Sequence, residues 1–255
     1  MTKQLLFYEN AVPVSASRHA DLRVETGAGY AFASHASAVP IMAVEIIAAA
    51  SEYAIVFTAV GEEVVPAVVL GLRTDQNLYL GPDGKWNAKY VPAFIRRYPF
   101  VFSTSADRKT LTLCIDESYA GLKREGDGKR LFDEERKPTA YTQRVLKFLQ
   151  DFQAHFQRTR LFCQKLNDLG VLERTGVQMT ASSGEKASIG GFLVVSRKKL
   201  RDLPAEKLVD LAKSDELELL HLHLYSLRNF AEMKDRLIGA LPAEAEEAAG
   251  SATLQ

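Results

Sequence analysis

The chain has 255 residues, 47% hydrophobic and 25% charged, with Lys+Arg and Asp+Glu both at 32 and a formal net charge of +0. This is the composition of an ordinary globular protein with enough length to bury a large core, and it supplies no long-range positive field to gather nucleic acid. No apolar run reaches the roughly 20 residues that cross a bilayer, and Glu9 and Pro13 interrupt the first residues before a signal core can form. Cys114 and Cys163 each sit in an apolar run and read as buried thiols, so the expectation is a soluble, cytoplasmic protein.

In chain order, Pro40 followed by IMAVEIIAAASE predicts a helix that opens at the proline. Glu45 lies inside it and would be costly if buried alone, so it is placed on the exposed face or against a cation such as an arginine. YAIVFTAV and VVPAVVLGL, separated by Gly61, Glu62 and Glu63, predict a hairpin. Pro82, Asp83 and Gly84 have the order of a tight turn. Pro92 opens a short helix through Arg97, which Pro99 stops. PFVFST and KTLTLCID flank Ala106, Asp107 and Arg108 as a second hairpin, with Val101, Leu111 and Leu113 assigned to its buried face. Residues 117–137 are polar and Gly-containing, a connecting loop or lid.

The pattern then becomes helical over 139–169: Val145, Phe148, Leu149, Phe152, Phe156, Thr159, Phe162, Cys163 and Leu166 recur at spacings of three and four. Gly170 is placed to end that helix. Residues 171–191 are weakly patterned and predict a flexible loop, with a short strand at 192–195 and a short helix at 204–213. Ser214 caps a last helix to about Ile238, on which Leu217, Leu220, Leu224, Leu227 and Ala231 keep helical spacing; an alternating strand reading through Leu220, Leu222 and Leu224 competes with it. The resulting fold class is a mixed α+β protein: a β-rich lobe over 1–137, a mainly helical lobe with a long amphipathic helix over 138–241, and a disordered tail over 242–255.

Chemistry is sparse in the linear sequence. His221 and His223 would share a face on a strand, as a metal pair requires, but not on a helix. Asp116 and Glu117 end a predicted strand, where a carboxylate serves as a loop cap or faces a cleft. Gly27 and Gly29 lack a strand-to-helix phosphate fingerprint, and no G-x-S-x-G elbow is present. No catalytic residue and no cofactor is assigned. The segment 70–100 concentrates what remains: Trp86, Tyr90, Arg96, Arg97 and Tyr98 combine flat rings with fork donors suited to a peptide, a planar ring or a carboxylate.

Taken in order, VPIMAVEIIAAASEYAIVF, VVLGLRTDQNLYL, GKWNAKYVPAFIRRYPF, LCIDES, GKRLFDEE and LHLYSLRNFAEM resemble the SapC family of bacterial proteins. The matching positions include Pro40, Glu45, Pro66, Gly71, Asn77, Leu78, Trp86, Tyr90, Pro92, Arg96, Arg97, Tyr98, Pro99 and Phe100. Tyr53-Ala54 stands where the family usually has Tyr-Pro, and His223, Leu224, Ser226 and Leu227 match a pattern that leaves His221 outside. The resemblance implies an accessory role in bacterial nutrient uptake or surface processes, because members are often encoded beside outer-membrane receptors or flavin-dependent halogenase-like proteins.

The leading expectation is therefore a binding protein with no nucleic-acid partner, whose small-molecule or peptide ligand meets Asn77, Trp86, Tyr90, Arg96, Arg97, Tyr98 and Asp116. One alternative is a metal-dependent, oxygenase-like enzyme acting on an amino acid or peptide through His221 and His223. Another is a scaffold that joins protein partners through the 139–169 helix, which an exposed Phe148, Phe152 or Phe156 would favour.

Overall fold

The computed structural model describes residues 6–27, 29–61, 63–105, 107, 110–180 and 186–239. Its strands are β1 (Ala11–Pro13), β2 (Arg23–Val24), β3 (Ala38–Pro40), β4 (Ile55–Val60), β5 (Glu63–Val69), β6 (Phe100–Thr104), β7 (Leu111–Asp116), β8 (Leu122–Lys123), β9 (Lys129–Arg130), β10 (Leu172–Thr180) and β11 (Lys186–Val195). Its helices are α1 (Ala16–His19), α2 (Ile46–Ala49), α3 (Ala93–Arg96), α4 (Ala140–Asp168), α5 (Arg197–Arg201), α6 (Ala205–Lys213), α7 (Glu216–Ser226) and α8 (Asn229–Gly239). The N-terminal half is β-rich with short helices; the C-terminal half is mostly helical.

The principal sheet has the order β10-β11-β4-β5-β3, with every pairing antiparallel. It draws strands from both sides of residue 138, since β11 meets β4 where Leu193 faces Phe57. β4 and β5 are the expected hairpin, and their shared end is buried as an almost continuous Val/Ile/Phe run, the pattern of a sheet covered on both faces. α4 packs on β5, and α7 packs on α2, β4 and β11. The main core holds Ile46, Tyr53, Ile55, Phe57, Leu70, Tyr79, Ile95, Leu166 and Leu220, all at most 1% exposed. A second core gathers Leu22, Val24, Phe100, Ile115, Leu131, Phe132 and Leu149 around the β1-β7-β6 sheet and the small β8-β2-β9 sheet.

α4 belongs to both cores. Leu149 serves the smaller one, Phe152, Phe162, Cys163 and Leu166 serve the larger, and half-buried Phe148 touches both. Its start is fixed by Thr139, whose Oγ1 accepts the Thr142 N–H at 3.3 Å, and Gly170 follows its end at φ +64°. Phe152 is buried and Phe148 and Phe156 are half-buried, so none of the three stands fully exposed.

Several expected elements differ. Pro40 ends β3 instead of opening a helix; the helical stretch begins as a 3-10 turn at Ala43–Glu45 and continues as α2. Leu111 is 41% exposed; the face toward the second core carries Phe100, Phe102, Leu113 and Ile115, while Val101 and Cys114 are buried on the opposite face. The 117–137 segment contributes β8 and β9 and inserts Leu131 and Phe132 into the second core. The stretch expected as a loop after Val171 supplies the paired strands β10 and β11, with residues 181–185 between them outside the described residues; exposed Glu173, Arg174 and Thr175 conceal the strand character. The single last helix is two, because Ser214 closes α6 and Asp215 takes a left-handed φ of 58° before α7, while α8 starts anew at Asn229. The tail at 242–255, and Glu62, Ala106 and Arg108 of the expected turns, lie outside the described residues.

Candidate functional site: an aromatic cleft at the seam of two cores

An open cleft of about 570 Å³ lies where the two cores meet. From the main-core side come Tyr30, Phe32, Trp86, Val91, Ile95 and Arg96. From the other come Val24, Glu25, Tyr98, Tyr119 and Tyr141. Its rings form a chain of contacts: Trp86 meets Tyr30 edge-on at 5.7 Å, Phe32 stacks on Tyr98 at 4.2 Å, and Tyr98 meets Tyr119 edge-on at 5.3 Å. Such packing fixes the rings while leaving each half-buried.

Backbone geometry shapes one wall. The Tyr30 N–H donates to the Gly84 carbonyl at 2.8 Å, docking Gly29 and Tyr30 onto the PDG turn. Gly29 has φ +83°, and a Cβ there would stand 2.9 Å from the Gly84 oxygen, so only glycine fits this approach. Of the two glycines, Gly29 is therefore the joint between two loops, while a Cβ at Gly27 would meet nothing within 4 Å. The PDGK turn is as expected, with the Lys85 N–H donating to Asp83 Oδ1 at 3.1 Å.

Behind Trp86 is a closed hydrogen-bond network. Trp86 Nε1 donates to the Tyr53 hydroxyl at 2.7 Å, and that hydroxyl donates to the Tyr90 carbonyl. Tyr79 donates to the Glu52 carbonyl at 2.8 Å, and the Glu52 carboxylate accepts the Lys89 and Tyr90 N–H groups at 2.9 Å each. Glu45, 4% exposed, is held by donors in place of the expected cation: Met42 N–H at 2.8 Å, Ala93 N–H at 2.8 Å and the Tyr90 hydroxyl at 2.7 Å. Burial pushes the Tyr53, Tyr79 and Tyr90 hydroxyls above the ordinary phenol value, Tyr79 to about 12, so all three act as donors at neutral pH.

The structure separates the residues the sequence had grouped. Trp86, Arg96 and Tyr98 line the cleft. Arg96 is exposed, its Nε donates to the Val91 carbonyl at 2.9 Å, and its guanidinium lies over Tyr90 and Phe148 at 5.7 and 5.4 Å. Tyr90 stands behind Arg96 and belongs to the closed network. Arg97 points away from the cleft and is 3% exposed. Asn77 is a turn residue, donating to the Ala33 carbonyl and accepting the Tyr79 N–H at 2.9 Å each. Asp116, fully buried, caps the chain by accepting the Glu9, Asn10 and Ser118 N–H groups at 2.9, 3.0 and 3.0 Å. Neither Asn77 nor Asp116 lines the cleft. Tyr30, Phe32, Tyr119 and Tyr141 do, and the sequence reading passed over them; Tyr30 and Tyr119, large rings in polar, Gly-containing segments, were the available signal.

The histidine pair is not a ligand set. Both residues are on α7, where two positions apart is about 200° of rotation. His221 is exposed with Nδ1 at 2.8 Å from the Leu217 carbonyl, whereas His223 is fully buried and its Nε2 accepts the Val195 N–H at 3.1 Å. Among the described residues no group of three His, Cys, Asp or Glu side chains is gathered to hold a metal.

The family model for SapC matches residues 14–233. The chain belongs to the SapC family. No curated protein and no solved structure matches it. Positions that carried the SapC resemblance acquire physical roles: Ser226 Oγ donates to the His223 carbonyl at 2.6 Å and accepts the Ile55 N–H at 3.1 Å, stitching α7 to β4. Where SapC proteins usually have Tyr-Pro, the Tyr53-Ala54 turn is held by Asn229, whose Nδ2 donates to the Ala50 and Tyr53 carbonyls at 2.9 and 2.8 Å. Among the described residues no helix is long and apolar enough to cross a membrane.

Proposed function

We propose that this SapC-family protein is an accessory binding protein that holds a small anionic molecule with a flat apolar face in the aromatic cleft. The observation that carries the reading is the meeting of half-buried Tyr30, Trp86, Tyr98, Tyr119 and Tyr141 with exposed Arg96 around one cavity at a seam between cores, the usual place for a ligand site. The rings supply contact area at little entropic cost, and the planar guanidinium receives a carboxylate or phosphate through paired N–H donors. Lys85 is engaged with Asp83 at 2.9 Å, which leaves Arg96 as the cation most directed at the cavity. Tyr90 acts at one remove, by supporting Arg96. Placement in the cytoplasm belongs to the same proposal and is supported by the buried, unbridged Cys114 and Cys163; a role in nutrient uptake is an expectation from the family.

Native mass spectrometry of protein purified gently from its source cell, with metal analysis of the same sample, tests this. A reproducible small-molecule adduct that disappears in both Arg96→Ala and Tyr141→Ala is the expected result. An adduct indifferent to both substitutions would remove the cleft from consideration.

A further inference from the structure

Arg96 and Arg97 are adjacent in sequence and open onto different cavities. Arg96 faces the aromatic cleft; Arg97 lines a separate trough of about 220 Å³ between the β3–β5 sheet and α4. The trough walls are apolar, with Val39, Ile41, Met42, Val65, Phe94 and Phe152 among them. Among the described residues the charged groups lining it are Arg97 and Glu63, and Glu63 is paired with Arg160. The Arg97 guanidinium lies 4.0 Å from the Phe94 ring centre, 5.0 Å from Phe152 and 5.8 Å from Tyr8. It is thus a cation fixed by aromatic rings at the wall of a hydrocarbon-lined space.

We propose that this trough binds a free unbranched aliphatic carboxylate, with its chain along β3 and β5 and its head on Arg97. Charge complementarity selects the head, because the lining cation is buried in an apolar setting where an anion gains most. A guanidinium has five N–H donors, enough to retain internal partners and still receive a carboxylate. The apolar walls select the tail. At about 30 Å³ per water-sized group the space admits a chain of about seven carbons. This site is independent of the aromatic cleft and stands or falls separately from it.

The test is amide NMR of the full chain titrated with sodium octanoate and, in parallel, with 1-octanol, which has the same chain and no charge. Saturable shifts at Val39, Ile41 and Val65 are expected, with octanoate binding about ten- to a hundredfold more tightly than octanol, the range of a charge-assisted hydrogen bond. Arg97→Leu should make the two probes equal, and Arg97→Lys should keep part of the preference. Should Arg97→Leu fail to fold, Val60→Trp decides: Val60 is 41% exposed at the trough, so the indole fills the space from a tolerant position and both probes should lose binding. The proposal is overturned by no saturable shift in the trough, by octanol equalling octanoate on the unaltered protein, by binding that survives Val60→Trp, or by shifts centred on Trp86 and Tyr98.

Discussion

The closed interior behind Trp86 and the open cleft in front of it are built from the same residue types and differ in whether the rings keep a face on open space. Inside, Tyr53, Tyr79 and Tyr90 each aim a hydroxyl at a fixed protein acceptor, and the carboxylates of Glu45 and Glu52 are filled by backbone donors. In the cleft the Tyr98 and Tyr119 hydroxyls also donate internally, to Asp116 Oδ2 at 3.4 Å and the Glu25 carbonyl at 3.2 Å. The rings there, however, hold one another by edges and faces around open space, and the cation is exposed. Aromatic density alone therefore does not mark a site. The distinction is which rings keep a face on the open cavity, and it divides Tyr90 from Tyr98 although both lie in one short segment.

The comparison breaks most decisively at Glu45. Glu45→Ala leaves the Met42, Ala93 and Tyr90 donors without their acceptor and is expected to cost about 3–5 kcal/mol in urea unfolding; a loss below about 1 kcal/mol would show the network to be dispensable. Next is His223, sealed in the same core. Its pKa is lowered to about 4, first by burial, so the unfolded chain takes up the proton before the folded one does. Stability from the neutral ring is complete above about pH 6.5 and declines by about 3 kcal/mol as pH falls to 4. Unfolding of the parent and His223→Gln at pH 7 and pH 4 measures this, and equal acid sensitivity in both would rule the histidine out. Tyr53→Phe, which removes the acceptor of the Trp86 N–H and the donor to the Tyr90 carbonyl, should cost about 1–3 kcal/mol; an unchanged urea midpoint contradicts a closed network. The smallest stability effect belongs to the cleft: Arg96→Ala is expected to shift stability by at most about 1 kcal/mol while abolishing ligand retention. A large loss of stability instead would move Arg96 into the structural class with Tyr90.

What was legible in the sequence follows the same division. α4 could be read because its buried positions repeat with helical period, and the β4–β5 and β6–β7 hairpins because apolar runs bracket turns. The β10–β11 pair was hidden because Glu173, Arg174 and Thr175 are exposed on both faces of β10, and the break between α7 and α8 because Leu224, Leu227 and Ala231 keep helical spacing across it. Trp86, Arg96 and Tyr98 were nominated by their chemistry and line one cleft. Asn77, Arg97 and Asp116 were nominated on the same grounds and face elsewhere, since proximity along the chain does not decide which side of a three-dimensional seam a side chain takes. Tyr119 and Tyr141 reach the cleft only through the return of β7 and the start of α4, a juxtaposition created by folding.

The Leu193–Phe57 pairing also bears on synthesis. β4 emerges from the ribosome early, yet its neighbour β11 belongs to the last third of the chain. At ~5–20 residues per second the nascent β4 edge waits on the order of ten seconds for its partner. Over that interval an apolar Ile-Val-Phe strand has one side unpaired, an exposure that a chaperone recognises and that favours association between crowded nascent copies. Changes in β11 are then expected to lower expression yield as well as the equilibrium stability that buried Phe192, Val194 and Val195 supply.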